Sequence, residues 1–288
     1  MSLPDGIAEA LGALLFFGIG DVVYKRGSAA GVKPQHLLMV QSWGFTPLAI
    51  LFGLATGLLH LGPGTWWGAA AGFFMWFGFY NFAHSLRTGS ISVNAPIFRL
   101  SFVLTALLAI LILGEALTRA KIAGIGLALL AIWLLLAAPI AANAPRVKIF
   151  TPNLIRVVIA TMSVGVGNLL IKVGLHAGAN PVSMVVAQAF VVCPLSTVFV
   201  AIVDRGIRPP AVAFRYGFTA SVVLLAAFIL LAEGLSRGEA SVIVPIAQMG
   251  FAVTAVLGFA VLRERFTARK AVGLIAAISA LTSFAIAW

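Results

Sequence analysis

The amino-acid sequence predicts an all-α integral membrane protein, with ten transmembrane helices in two inverted five-helix repeats around a central cavity. Three observations carry this reading: an apolar composition, a series of ten apolar runs, and a duplication that relates the first five runs to the last five. Of 288 residues, 61% are hydrophobic and 9% charged, whereas soluble domains carry about a quarter charged residues. A water-soluble chain of this make-up would have to clothe itself in apolar side chains, and lipid is the solvent that removes the problem. The 29 glycines fit the same solvent, because bilayer helices associate through close backbone contact at small residues.

A spanning helix needs about 17–25 mostly apolar residues. Runs of this kind, interrupted by Gly, Pro and charge, are expected at 6–24, 36–59, 66–86, 91–113, 119–138, 154–173, 181–203, 212–234, 240–262 and 268–287. The stretch Met1 to Glu9 holds Asp5 and Glu9 and no Lys or Arg. That is the wrong charge for the n-region of a signal peptide, so the first run is expected to stay as a helix. Connections are short except for a polar, proline-bearing segment between Pro139 and Pro152. The expected organisation is a first repeat over 1–138, a linker over 139–153 and a second repeat over 154–288.

The halves resemble each other. A shift of 147 superposes Gly18, Gly20, Lys25, Gly27, Gly31, Pro34, Gln41 and Pro47 on Gly165, Gly167, Lys172, Gly174, Gly178, Pro181, Gln188 and Pro194. A shift of 149 superposes Ala83, Leu86, Gly89, Val93, Pro96, Thr105, Glu115, Thr118, Lys121 and Gly124 on Ala232, Leu235, Gly238, Val242, Pro245, Thr254, Glu264, Thr267, Lys270 and Gly273. So many Gly, Pro, Gln and Glu matches at nearly one offset mean a duplication. Five spans per half is odd, so the second half enters the membrane with opposite polarity. Inverted repeats of this kind let a carrier alternate between two related shapes around a site near the midplane. Of the 19 Lys and Arg, 14 fall on one side of these spans and 4 (Arg119, Lys121, Lys172 and Arg237) on the other, with Arg99 inside a span. The positive-inside rule then predicts both termini outside the cytoplasm.

The formal charge of +11 reflects basic residues at the ends of apolar runs, which suits orientation and anionic headgroups. No basic stripe or aromatic platform for nucleic acid accompanies it. A lone cysteine, Cys193, excludes an internal disulfide framework. No phosphate loop of the GxxxxGK[ST] type is present, so the chain does not drive itself with ATP. His36, His60, His84 and His176 are scattered, with no metal-ligand spacing, and neither a cofactor nor a metal is expected. The expected partners are a small-molecule solute and the bilayer, and a monomer is compatible with all of this. A lipid-modifying membrane enzyme would need its polar groups clustered at one interface, whereas here they are spread symmetrically over two halves.

Polar groups inside bilayer helices are expensive and therefore functional candidates. Gln41 and Gln188 either line a cavity and hydrogen-bond a solute or bond a neighbouring helix. Arg99 and its repeat mate Gln248 follow Pro96 and Pro245, the expected helix hinges, by three residues. Arg99 either holds a carboxylate or phosphate in bidentate fashion, or snorkels, or pairs with a distant carboxylate such as Asp21. His84 and Glu233 are mates near helix ends, available for proton exchange or an ammonium group, or simply hydrated at the interface. Asp21 and Asn168 form the fourth pair, with Lys25 an i+4 partner for Asp21. Trp76 and Tyr80 stand in an aromatic third helix whose Tyr80, Asn81 and His84 share one face, a wall suited to an amphiphilic solute. Glu115 and Glu264, beside Thr118 and Thr267, read as helix-capping groups.

The G-x-x-x-x-K-x-G pattern at Gly20–Gly27 and Gly167–Gly174, with Ser92/Ala95-Pro96 and Gly114-Glu115 answered by Ser241/Val244-Pro245 and Glu264, resembles the EamA-type repeat of the drug/metabolite transporter superfamily. The resemblance spans nearly the whole chain. Two features depart from it: Arg263-Glu264 stands for the Gly-Glu turn in the second half, and the usual first-helix tryptophan is missing. It implies ten helices, an inverted repeat, and a cavity lined by the third, fourth, eighth and ninth helices, where Trp76, Tyr80, His84, Arg99, Glu233 and Gln248 lie. Within the superfamily the chain is most similar to bacterial amino acid exporters of the YddG type, which have both termini in the cytoplasm, opposite to the charge count. The expected function is a secondary transporter of the inner membrane that exports aromatic or neutral amino acids, or similar small amphiphiles, by alternating access. A multidrug or cationic-drug exporter is the alternative, and it would rely on an intramembrane carboxylate, for which only Asp21 and Glu233 offer themselves.

Overall fold

The computed structural model describes residues 5–85, 94, 97–136, 152–262 and 267–287. The linker residues 139–151, Pro96 and Glu264 lie outside these. The described residues form α1 (Ile7–Ala29), α2 (Pro34–Ala55), a single 3-10 turn (Pro63–Thr65), α3 (Trp66–Ser85), α4 (Ser101–Leu113), α5 (Arg119–Leu136) and α6 (Pro152–His176). There follow α7 (Pro181–Val203), α8 (Ala211–Arg237), α9 (Ala240–Gln248), α10 (Gly250–Leu262) and α11 (Ala268–Ala285). Among the described residues there is no strand. Among the described residues seven helical stretches are long and apolar enough to cross a membrane, and Ile97–Leu113 is a shorter apolar helix. One of the seven, Ala240–Gly258, joins α9 to α10 across a break at Met249, four residues beyond Pro245. Leu51, Leu54, Leu111, Ile112 and Ile202 are exposed on the outside, an apolar exterior that lipid satisfies.

Helix α1 runs five residues past the expected 6–24. Its last turn closes because Gly31 takes a left-handed φ of 82°, so that Val32 N–H bonds the Gly27 carbonyl at 3.1 Å. Such a reversal favours glycine, which has no Cβ to clash. The mate of that residue, Gly178, does the same at φ 85°, with Ala179 N–H on the Gly174 carbonyl at 3.0 Å.

Packing follows the small residues. Helix α1 lies antiparallel on α8: Gly12 faces Leu230, Gly20 faces Leu224 and Gly27 faces Tyr216. Helix α3 lies antiparallel on α6, with Trp67 against Gly174 and Gly78 against Val164. These two pairs exchange under the repeat, and so do finer contacts. Gly18 abuts Val253 as Gly165 abuts Leu104. Thr254 Oγ1 donates to the Gly18 and Gly250 carbonyls at 3.2 and 3.1 Å, and Thr105 Oγ1 to the Gly165 and Ser101 carbonyls at 3.1 and 3.0 Å. A duplicated sequence has kept duplicated contacts. Below, the upper face is the end where α1 finishes and α2 begins.

Candidate solute-binding site

A small, apolar-walled cavity opens near the upper face between α2, α3 and α7. Its walls are Pro34, Gln35 and Leu38 from the start of α2, Trp76, Phe79 and Tyr80 from α3, and Ser196 and Phe199 from the end of α7. Trp76 and Tyr80 face the same way because they are four apart on a helix, and their rings stack at 5.8 Å and 14°. The Phe199 ring meets Tyr80 edge-on at 4.6 Å and His84 meets it from the other side at 5.6 Å. Such edge and offset contacts hold aromatic rings in fixed orientation.

Under the repeat, Gln35, Leu38, Trp76, Phe79 and Tyr80 map onto Val182, Val185, Leu225, Phe228 and Ile229. Those five pack together with Phe45 and Ala49 into a closed apolar cluster near the lower face. The same architectural place is open above and filled below.

Polar side chains at the cavity's rim tie α2 to α7. The Asp204 carboxylate accepts from Lys33 Nζ at 2.5 Å and Gln35 Nε2 at 3.2 Å, and stands 2.9 Å from His36 Nε2. Burial alone would raise this carboxyl, but the hydrogen bonds from Lys33 and Gln35, with the charges of Lys33 and His36, hold it below its ordinary value of 3.8.

Of the residues singled out in the sequence, Trp76 and Tyr80 line the cavity and His84 touches it through Tyr80. Gln41 is buried and its Oε1 accepts from Tyr24 Oη, while its carbonyl accepts from Ser221 Oγ at 2.7 Å. Arg99 donates through Nη2 to Asp21 at 2.5 Å, and Thr254 Oγ1 reaches the same carboxylate oxygen at 3.3 Å. Arg99 therefore answers a carboxylate of its own chain. Glu233 stands apart from all of these, 3.5 Å from Arg237, which also binds Glu9 at 2.5 Å near the lower face. Gln248 ends α9 at the break, half-buried. Gln188 is buried with an unpartnered Oε1, and neither amide atom of Asn168, the repeat mate of Asp21, has a partner among the described residues.

Sequence reasoning missed Gln35, Ser196 and Phe199. Gln35 lies in the first turn of α2, and Ser196 and Phe199 lie in the last two turns of α7, where nothing in the sequence distinguishes a cavity rim from an ordinary helix end.

The capping glutamates behave differently from expectation in one respect. Thr118 and Thr267 cap their own helices through Lys121 N–H and Lys270 N–H, each at 3.3 Å. Glu115 instead crosses to the other half, where it accepts from Ala240 N–H at 2.7 Å and Ser241 N–H at 2.8 Å at the start of α9. Beside it, Lys172 Nζ donates to the Leu235 and Gly238 carbonyls at the end of α8, at 2.7 and 2.8 Å. A carboxylate on a helix N-terminus and a cation on a helix C-terminus both complement the macrodipole.

The described residues are helical with an apolar exterior, the architecture of a multi-pass membrane protein. The chain belongs to the EamA-like transporter family, whose model matches it twice, over residues 5–137 and 152–285; it is a membrane transporter of the drug/metabolite transporter superfamily. One solved structure, described only as "Crystal structure of protein", shares the fold with a TM-score of 0.81 at 16% identity, over 99% of each chain. No curated protein matches the chain.

Proposed function

We propose that the chain is a secondary transporter of a bacterial-type inner membrane that exports aromatic or neutral amino acids, or similar small amphiphilic metabolites, by alternating access between two inverted five-helix halves, 1–138 and 154–288. The observation that carries the substrate class is the cavity itself. Trp76, Tyr80 and Phe199 give it an aromatic, almost wholly apolar wall, the kind of lining that suits the apolar part of a small amphiphile. What supports alternation is the contrast between this opening and the closed cluster at the equivalent lower place, since exchange of the two arrangements moves the opening from one face to the other. Antiparallel packing of α1 on α8 and of α3 on α6 supports inversion: with short connections, α1 and α3 run one way, so α6 and α8 run the other. Counting α9 and α10 as one interrupted span gives ten. A cation exporter fits less well, because Asp21 and Glu233 each face an arginine.

The test is counterflow in liposomes holding the purified protein. Labelled L-phenylalanine should accumulate against unlabelled amino acid inside, and Tyr80→Ala should slow this at least several-fold. Drug extrusion with no amino acid counterflow would sink the reading.

A further inference from the structure

Near the lower face the two halves are tied together by charge. Lys121, at the start of α5, is 0% exposed. Its Nζ donates to the Ala116 carbonyl at 2.6 Å and pairs with Glu239, the residue just before α9. Two residues earlier, Arg237 at the end of α8 meets Glu9 of α1 at 2.5 Å. Glu115 adds its two bonds to the first N–H groups of α9. In each tie one partner belongs to the first half and the other to the second. All three hold the end of α8 or the start of α9, and α8 carries Leu225, Phe228 and Ile229, which close the lower apolar cluster.

The repeat carries only part of this arrangement to the other side. Glu115 is matched by Glu264, so the carboxylate of the cap recurs. Lys121 and Glu239 are matched by Lys270 and Ser90, and Glu9 and Arg237 by Arg156 and Thr88. Neither matched set contains a carboxylate, so by residue identity alone neither ion pair can form between the equivalent positions. The two charge pairs belong to closure of the lower face only. A buried ammonium needs its counter-charge: losing one partner leaves an uncompensated charge, whereas removing both is often neutral. For Lys121 that counter-charge is Glu239.

We propose that the Lys121–Glu239 pair, helped by Glu9–Arg237, is a one-sided latch that holds the lower face shut and leaves the resting carrier open at its upper face. When the lower face opens, both ions pass into water, so the latch acts on one of the two conformations. This rests on the reading of the chain as an alternating carrier and not on which solute is carried.

The experiment measures how fast N-ethylmaleimide labels single cysteines in the purified full-length protein on the Cys193→Ser background. Leu38→Cys reports the upper cavity, and its repeat mate Val185→Cys, at a position 2% exposed, reports the lower cluster. With the latch intact, Leu38→Cys should label readily and Val185→Cys slowly. Glu239→Gln should speed labelling of Val185→Cys about tenfold or more and slow that of Leu38→Cys. Arg237→Gln, which breaks an exposed pair, should move both rates the same way by about twofold. Lys121→Met combined with Glu239→Gln buries no unpaired charge and should bring both rates back toward their starting values. Unchanged rates in Glu239→Gln and Arg237→Gln overturn the latch. So does faster labelling at both cysteines, which is loosening and not a change of side, and so does a double variant that matches Glu239→Gln. No solute enters this assay, so each of those results leaves the amino acid reading standing. Failed counterflow with the expected labelling rates keeps the latch and overturns that reading.

Discussion

Glu115 shows what a single side chain does across the duplication. It sits in the turn before α5, yet its two oxygens hold the first N–H groups of α9, more than 120 residues away. The physics of the role, a carboxylate on free N–H groups at a positive helix end, is readable from the Gly-Glu-x-x-Thr turn. The partner is not, because a local pattern cannot say which helix end will be brought alongside. Asn168 poses the same difficulty in reverse. The repeat marks it as the mate of Asp21, but the lack of a partner emerges only once α3 and α6 are packed. Arg99 was legible as a costly intramembrane cation, with pairing to Asp21 among its possible roles, and geometry was needed to choose between them. At this scale we predict that Glu115→Ala lowers stability by about 1 kcal/mol, a typical cost for a lost cap, read as a lower melting temperature in detergent. The control Glu115→Gln keeps an acceptor and should lose less. An unaltered melting temperature for Glu115→Ala would mean that the α9 terminus is satisfied without it.

Between elements, the glycines decide how closely helices approach. Gly18 is the tightest kind of case: a Cβ there would meet the Gly250 carbonyl at 2.7 Å and Val253 Cβ at 2.6 Å. Backbone cannot move aside cheaply, so Gly18→Ala should push α1 from α10 and cost about 1–3 kcal/mol, as overpacking does. Gly126 on α5 has nothing within 4 Å of its built Cβ. Gly126→Ala should therefore stabilise by about 0.5–1 kcal/mol through helix propensity alone. Thermal melting of the two variants checks the contrast, and equal behaviour would contradict the packing described. Helix existence was legible from apolar run length, since lipid demands it. Helix ends were less so: α1 passes through Lys25 and Arg26 and ends only at the Gly31 reversal, since basic side chains extend to the interface without ending the helix. The interruption at Met249 lies four residues beyond Pro245, whereas a proline's missing N–H loosens the turn before it, so the break was not legible from Pro245 alone.

For the whole molecule, the proposed alternation requires two copies of one bundle facing opposite ways, one leaving an opening where the other closes a core. The duplication is visible in the sequence through matched Gly, Pro and Gln positions, and the dense aromatic face of α3 singles out Trp76 and Tyr80, which stand beside the opening between α2, α3 and α7. Which end is open was not visible, because Val182, Val185, Leu225 and Ile229 are ordinary span residues until they meet. In the export reading proposed above, the charge bias assigns the upper face to the cytoplasm, the side from which an open cavity would take up its solute.

Site-specific labelling tests inversion directly. Cys193 is the sole cysteine, so Cys193→Ser provides a clean background. Ala30 and Ala177 are repeat mates, both exposed, one in the turn after α1 and the other in the turn after α6. With a membrane-impermeant maleimide on intact spheroplasts, Ala177→Cys should label at once and Ala30→Cys only after the membrane is permeabilised. Exchange of the two patterns would keep inversion and reverse the orientation; labelling of both from the same face would contradict the antiparallel halves and the carrier mechanism built on them.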